Sequence, residues 1–352
     1  MEHLNLRGDM VVDLARNIQD QLQLLDVFAN NVDEETGPHL MKRLSDLPDF
    51  TTLNLGSNPN GAAQMMKGIS QLLRAQHLTS LDLSSLFVPV DETSTPILCE
   101  AILECSSLTH LSLSGNDLGA GSYALGDVIR HSRTLLSLDL EAAGVPDEGA
   151  CRIGEALQVN STLTRLNLAH NGVDNDGFYE LMMGVRYPHC KVNFLDLRNN
   201  DIESASDISE RILPPNASLT RLDLSNNHLH DVLTLATGAL QCKTLEVLEL
   251  GGNVLRSAAF VKALGMELVS PNLRYLGLRG NLLGNVGGKE LAGLLMDLRA
   301  DLKTRQVPVH IDVRDNFVTD RKVADALNKA LTQINAVCGQ TARQNHRAEQ
   351  SG

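Results

Sequence analysis

Several features that define other protein classes are scarce or missing in this chain of 352 residues. Aromatic residues make up 3% of the sequence and tryptophan is absent, so leucine and alanine must fill the core. The net charge of −13 argues against nucleic acid as a partner, because binding phosphates needs clustered Lys and Arg. No apolar run reaches the roughly 18–20 residues that span a bilayer. We therefore expect no nucleic-acid partner and no membrane insertion.

The six cysteines stand singly, without Cys-x-x-Cys pairs or clusters at either end. This spacing predicts neither a metal site nor a disulfide framework, and it is typical of a protein in a reducing compartment. The N-terminal Met1-Glu2-His3-Leu4 lacks a basic segment followed by an apolar one, which predicts no ordinary secretory signal. The expected location is cytoplasmic, and no cofactor is expected.

The chain does contain a recurring phrase, Leu-x-Leu-x-x-Asn. Its first leucine, or the isoleucine that replaces it, stands at positions 25, 53, 81, 111, 138, 166, 195, 222, 248, 276 and 311. The resulting intervals of 26 to 35 residues predict a solenoid, in which each unit packs only on its neighbours. We therefore predict a single repeat domain over residues 1–338, although an ordinary chain of this length would form two or more domains.

Residues 163–185 illustrate one unit. Apolar residues alternate around Leu166 and Leu168 as in a short strand, and turn residues follow Asn171. From Phe178 the apolar residues recur at helical spacing. The pattern predicts an α/β right-handed solenoid shaped like a horseshoe, with a parallel sheet on the concave side and helices on the convex side.

The asparagine that closes the phrase has a predicted structural role. Where the backbone leaves the strand ladder, a stacked column of side-chain amides can satisfy backbone groups that would otherwise lose their partners. Leu86 and Ala143 take this place in the third and fifth repeats, which we expect to be locally irregular. The other nine repeats form the predicted asparagine ladder: Asn30, Asn58, Asn116, Asn171, Asn200, Asn227, Asn253, Asn281 and Asn316.

The ends of a solenoid must cover its terminal cores. Residues 1–24 are predicted to form an N-terminal cap, and about eleven repeats follow over residues 25–318. The apolar spacing over 319–338 predicts a C-terminal helical cap, and the polar residues 339–352 predict a flexible tail.

Parts of the repeats resemble a known family. The segments 160–168 (Asn-Ser-Thr-Leu-Thr-Arg-Leu-Asn-Leu) and 216–224 (Asn-Ala-Ser-Leu-Thr-Arg-Leu-Asp-Leu) resemble leucine-rich repeats of the ribonuclease-inhibitor-like subclass. The segment 147–157, Asp-Glu-Gly-Ala-x-x-x-Gly-x-Ala-Leu, resembles the helical part of such a repeat. The resemblance covers about residues 22–337. It implies a horseshoe solenoid and a role in recognising another protein.

The residues between the two leucines of each phrase, which we call the middle column, are predicted to point into solvent. Seven of these eleven residues are acidic. In the C-terminal half, arginines and two aromatic residues flank the acidic ones, and these residue types are frequent at interface hot spots. The candidate partner-binding residues are Arg165, Phe194, Asp196, Arg198, Arg221, Asp223, Glu249, Tyr275 and Arg279. A structural alternative stays open, in which Asp and Arg pair with one another to keep an exposed sheet soluble.

The preferred function is a non-enzymatic scaffold, expected to be a monomer, that binds an unidentified partner protein along the concave face. Members of the resembled subclass suggest two alternatives. One is a regulator of a small GTPase, like the Ran GTPase-activating subclass, although the long acidic tail of that subclass is missing here. The other is a bacterial effector that acts on a protein inside the host cell. No catalytic motif is found around the histidines or the Gly-Gly pairs.

Overall fold

The computed structural model describes residues 8–32, 35–58, 63–75, 77–86, 94–204, 218–230, 244–256, 272–297 and 309–334. The predicted solenoid fold is confirmed. Each copy of the repeated phrase forms a strand of three residues, and the strands follow in chain order in one parallel sheet. They are β1 (Leu24–Asp26), β2 (Thr52–Asn54), β3 (Ser80–Asp82), β4 (His110–Ser112), β5 (Ser137–Asp139), β6 (Arg165–Asn167), β7 (Phe194–Asp196), β8 (Arg221–Asp223), β9 (Val247–Glu249), β10 (Tyr275–Gly277) and β11 (His310–Asp312).

Helices occupy the second half of those repeats in which that half is described. The described ones are α1 (Asp9–Asn17), α2 (Gly37–Ser45), α3 (Ala63–Arg74), α4 (Ser94–Glu104), α5 (Tyr123–His131), α6 (Asp147–Leu157), α7 (Asn175–Val185), α8 (Gly284–Asp297) and α9 (321–334). A short 3₁₀ helix, Gly119–Ser122, precedes α5.

The chain divides into two compact units. The first comprises Met1–Gly184 and His189–Val192, and the second comprises Val185–Pro188 and Asn193–Gly352. The extent of the single repeat domain, 1–338, and of its caps stays a prediction.

In the first unit, the first leucines of neighbouring repeats pair directly across the sheet, as Leu25 does with Leu53 and Leu138 with Leu166. Their side chains are at most 4% exposed. Burying each leucine contributes about 1.5–3 kcal/mol to stability. The leucine period therefore fixes the strand register as well as the core.

The second unit follows the same rule. Leu195 pairs with Leu222, and Leu276 pairs with Leu248 and Ile311. The helix α9 buries Leu327, Ala330 and Ile334. The predicted C-terminal cap therefore forms a helix with a buried apolar face as far as residue 334. Residues 335–338 of the cap and the predicted tail lie outside the described residues. So do residues 1–7 of the predicted N-terminal cap, of which α1 is described.

A left-handed residue ends the strand segment of every repeat. The residue just before the asparagine position has φ between 51° and 69° in all eleven repeats. Eight of these residues are not glycine, and each has adopted a conformation that costs an L-residue about 1–2 kcal/mol. The eleven are Ala29, Ser57, Ser85, Gly115, Ala142, His170, Asn199, Asn226, Gly252, Gly280 and Asp315. This turn brings the next side chain back under the sheet.

The asparagine side chains lie buried inside this turn. Asn227, for example, is 3% exposed, and its Nδ2 donates to the carbonyls of Leu224 and Leu197. Its Oδ1 accepts the backbone N–H of Ile202 in the preceding repeat, at 3.2 Å. Asn58, Asn253 and Asn281 bond their own and the preceding repeat in the same way. The amides thus link neighbouring repeats as well as closing their own turns.

The two repeats that lack the asparagine keep the regular strand register. Leu86 and Ala143 are buried. The backbone N–H of Leu86 donates to Oδ1 of Asn116 in the following repeat, and that of Ala143 donates to Oδ1 of Asn171. β3 and β5 pair with both neighbours without a shift. The expected irregularity is therefore absent from the strands, and residues 87–93 of the third repeat lie outside the described residues.

Candidate functional site

Each strand presents one face to the core and one away from it, which we call the open face. The middle column lies on the open face, together with the residues two positions before and after it. In eight repeats the middle residue accepts the backbone N–H of the residue two positions later, at 2.9–3.1 Å. The acceptors are Asp26, Asn54, Asp82, Asp139, Asn167, Asp196, Asp223 and Asp312.

These bonds correct the prediction that the middle column projects into solvent. Asp196, Asp223 and Asp312 are 2%, 5% and 6% exposed. Asp and Asn both have a side-chain oxygen that can accept the backbone N–H two residues later. Either residue can therefore occupy this column. Much of the acidic column therefore builds the turn after the strand and is not an open row of carboxylates.

Five of the predicted binding residues form one group, the β7–β8 cluster. The guanidinium of Arg221 lies over the ring of Phe194, 5.5 Å from its centroid. The ion pairs are Arg198 with Asp196 at 3.0 Å and Arg221 with Asp223 at 3.6 Å. This geometry fits the alternative in which Asp and Arg pair to keep the sheet soluble, because the acids hold the arginines in place. It also fits the partner-binding hypothesis, because Phe194 stays half-exposed.

Three further predicted residues line a second feature, the Glu249 hollow. This depression of about 420 Å³ is lined by Glu249, Tyr275 and Arg279 together with Ser225, Asn226, Gly251, Gly252, Gly280, Asp312 and Arg314. The Tyr275 ring packs 5.5 Å from that of His310, centroid to centroid. Arg279 is paired with Asp315 at 2.8 Å. His310, Asp312, Arg314 and Asp315 lie outside the candidate set, and the pairing of β11 with β10 brings them to this hollow.

Arg165, the remaining candidate, is exposed on β6 in the first unit. The other eight candidates belong to the second unit. Eight of the nine candidate residues therefore share the second unit, and Arg165 belongs to the first.

Glu249 has the most strongly raised pKa among the acids of the middle column. Burial, followed by the nearby carboxylate of Asp223, raises its pKa from 4.5 to about 7, although Arg221 opposes the shift. Asp312 behaves oppositely, since its hydrogen bond from Arg314 holds its pKa below the ordinary value. The ionised form of Glu249 is therefore poorly compensated, and burial also raises the pKa of Asp139 in the first unit.

This environment predicts a pH-dependent effect of Glu249→Gln. The folded-state pKa of Glu249 is raised, so ionisation costs stability as the pH rises from 4.5 towards about 7, and the cost is absent below 4.5. Because the side chain is half-exposed, we expect the variant to gain only about 1 kcal/mol at pH values above the folded-state pKa, and nothing in acid. Chemical denaturation of wild type and variant, once below pH 4.5 and once above pH 7, measures the difference in the free energy of unfolding. Glu246→Gln, which removes an exposed partner of Arg274 at 3.4 Å, is the matched control and should show no gain.

Three carboxylates at the start of α6 and α7 form a separate group in the first unit. Oxygens of Asp147, Asp174 and Asp176 all lie within 4.8 Å of one another. Asp147 accepts the backbone N–H groups of Asp174 and Gly177, both at 2.8 Å. Burial raises the pKa of Asp147, and these two hydrogen bonds oppose that effect. The group caps the first turn of α7, a role that the sequence pattern did not indicate.

Comparison with known proteins agrees with the repeat pattern. The Leucine Rich repeat family matches residues 104–121, 159–182, 216–232 and 269–292. Human NACHT, LRR and PYD domains-containing protein 12 is 31% identical over 281 residues, which cover 78% of this chain and 26% of the relative. Pig ribonuclease inhibitor is 29% identical over 265 residues, covering 73% of this chain and 57% of the inhibitor.

The fold has a counterpart among solved structures. The crystal structure of an internalin from Listeria monocytogenes covers 91% of both chains with a TM-score of 0.54 and 16% sequence identity, a likeness of fold alone. The chain is a leucine-rich repeat protein, and its relatives agree with the ribonuclease-inhibitor-like subclass. It spans about a quarter of the human relative and 57% of the pig inhibitor. Within the described residues, no helix is long and apolar enough to cross a membrane.

Proposed function

We propose that this protein is a non-enzymatic scaffold that binds a partner protein on the open face of its second unit. The observation that carries the proposal is the half-exposed pair of Phe194 and Arg221, in which Arg221 lies over the ring and also pairs with Asp223 at 3.6 Å. Aromatic residues and arginine are the residue types that contribute most at protein interfaces. A pre-ordered arginine loses less side-chain entropy on binding than a free one.

Two aromatic side chains give this surface its apolar content. The chain has only seven phenylalanines and four tyrosines, and Phe194 and Tyr275 are both half-exposed on the open face. Burying an aromatic anchor beside an arginine can contribute 2 kcal/mol or more, whereas an exposed ion pair contributes roughly 0–1 kcal/mol. The two aromatics should therefore dominate affinity, with the surrounding acids setting charge complementarity.

The proposal also covers the oligomeric state, the location and the class of partner. We propose a monomer in the cytoplasm without a nucleic-acid partner: the charge of −13 supports the last point, and the free cysteines Cys99, Cys105, Cys151 and Cys190 support a reducing compartment. The alternatives of GTPase regulation and of a bacterial effector gain no support from a specific contact in the described residues. Nucleotide turnover measured with candidate GTPases tests the first of these.

Affinity capture with paired baits tests the proposal. The wild-type protein should retain at least one protein from lysate that the Phe194→Ala/Tyr275→Ala variant does not retain. The matched control is Tyr123→Ala, which removes a ring that Arg152 covers at 5.3 Å on the helix side of the first unit. Loss of the same protein from the Tyr123→Ala bait, with retention by the double variant, would place binding on the helices instead.

A further inference from the structure

We propose that the Glu249 hollow receives a lysine or arginine side chain of the partner protein. The inference rests on the proposed function and adds the chemistry of one contact to it. It is carried by the shape of the hollow and by the distribution of charge around it.

The shape follows from two neighbouring residues of the middle column. Glu249 is the only glutamate in this column, and Gly277, directly across from it on β10, is the only glycine. A Cβ atom at position 277 would overlap the carboxylate oxygen Oε2 of Glu249. The glutamate therefore extends over the strand position that has no side chain. Gly251, Gly252 and Gly280 also line the hollow and contribute no side chain to it.

The charges around the hollow are paired, with one exception. Arg314 bonds Asp312 through two nitrogens, at 2.5 and 2.9 Å, and Arg279 bonds Asp315. Asp223 accepts a hydrogen bond from Ser225 Oγ at 2.5 Å and lies 3.6 Å from Arg221.

Glu249 has no such partner, since among the described residues no hydrogen bond or ion pair reaches its carboxylate. Its closest electrostatic influences, Asp223 and Asp312, are of like charge, and Arg221 offsets them only in part. A single added cation would complete the pairing, whereas an added carboxylate would meet arginines that, among the residues described here, are already paired.

Tyr275 makes an extended cation a better occupant than a small ion. Its ring forms one side of the hollow, held against His310. The face of an aromatic ring attracts a guanidinium or ammonium group, while the same side chain's methylene groups can cover apolar surface. The hollow therefore offers both a charge partner and an aromatic wall to one long basic side chain.

Binding of such a cation must change the titration of Glu249. The groups that face it are Asp223 and Arg221 on β8, Tyr275 on β10, Asp312 on β11 and Arg314 just after β11. A cation placed among them favours the ionised carboxylate and so lowers its pKa. By linkage, the cation should bind more weakly as the pH falls below about 7.

Nuclear magnetic resonance can test this directly. The probe is the capped tripeptide Ac-Gly-Arg-Gly-NH2, and Ac-Gly-Gln-Gly-NH2 is its neutral match. With the side-chain carboxyl carbon of glutamate labelled with ¹³C, the arginine peptide should lower the apparent pKa of Glu249, and the glutamine peptide should leave it unchanged. Glu249→Gln should weaken binding of the arginine peptide about fivefold or more, the loss of one partly buried charge pair.

Two further variants make the result decisive. Gly277→Ala displaces the Glu249 carboxylate without changing the charge and should also weaken binding of the arginine peptide. Glu141→Gln removes another half-buried carboxylate of the open face, in the first unit, and should have no effect. An unchanged pKa of Glu249, or equal binding of the arginine peptide by wild type and Glu249→Gln, would overturn the proposal. Stronger binding of Ca²⁺ alone than of the peptide would also overturn it.

These outcomes are separable from those of the proposed function. If the captured partner binds the open face but the arginine peptide does not shift Glu249, only the inference fails. If the peptide binds the hollow while no captured protein depends on Phe194 and Tyr275, the proposed scaffold role fails instead.

Discussion

Replacing Asn227 with alanine is expected to lower the free energy of unfolding by about 2–3 kcal/mol. The substitution removes two hydrogen bonds to the carbonyls of Leu197 and Leu224, at 2.9 and 3.0 Å. It also leaves the backbone N–H of Ile202 without its acceptor. Because the site is 3% exposed, water cannot replace these partners without opening the turn. Thermal and chemical denaturation of the variant measure the loss.

The control is an asparagine outside the ladder. Asn328 is exposed on α9, and Asn328→Ala should change stability by less than about 0.5 kcal/mol. Asn200→Ala should resemble Asn227→Ala, because its amide is buried in the same way. Equal and negligible shifts for all three variants would show that the amide ladder does not stabilise the array.

Replacing Phe194 and Tyr275 together with alanine should weaken binding of the captured partner at least tenfold, or about 1.4 kcal/mol or more. Phe194 supplies the ring beneath Arg221, and Tyr275 supplies a wall of the Glu249 hollow. Titration calorimetry with the purified partner measures the change. The fold should persist, because both side chains are half-exposed and lie on the face away from the leucine core.

The control for this prediction again is Tyr123→Ala, which removes an arginine-covered ring on a helix. Its affinity for the partner should equal that of the wild type. Charge changes at Asp82 or Asp139, in the first unit, should alter the association rate and its salt dependence more than the affinity. Full binding by the double variant would remove this surface from consideration.

The strands, their register and the asparagine positions could be predicted from the sequence because one periodic signal determines all three. A leucine at a fixed place in each repeat must reach the same core, so Leu222 pairs with Leu195 and Leu248. The left-handed turn is less visible in the sequence, because residues such as Ala142 and Ser57 do not normally favour positive φ. Their conformation is imposed by the repeat and not by the local sequence.

The prediction that the acidic column projects into solvent fails for a physical reason. Alternation in a strand places Asp196 and Asp223 on the open face, but it does not show that each carboxylate folds back onto its own backbone. The signal was present in the interchange of Asp with Asn at Asn54 and Asn167, since only an acceptor role is common to both. That reading would have singled out Glu249, which is too long for the same turn.

The candidate site needed three-dimensional information that the repeat alone does not hold. Phe194 and Arg221 are neighbours because the strand register aligns them, which the sequence allows one to infer. The pairing of Arg279 with Asp315, and the space that Gly277 leaves for Glu249, depend on side-chain paths across the sheet. These contacts decide which charges remain for a partner.

Site-specific photo-crosslinking tests the central claim, that a partner protein binds the open face of the second unit, most directly. A photo-reactive benzoylphenylalanine is placed at Arg279, exposed on the open face, or at Lys289, exposed on α8 of the same repeat. The captured partner should crosslink from position 279 and not from position 289. Crosslinking from position 289 alone would contradict the account and place the partner on the helices.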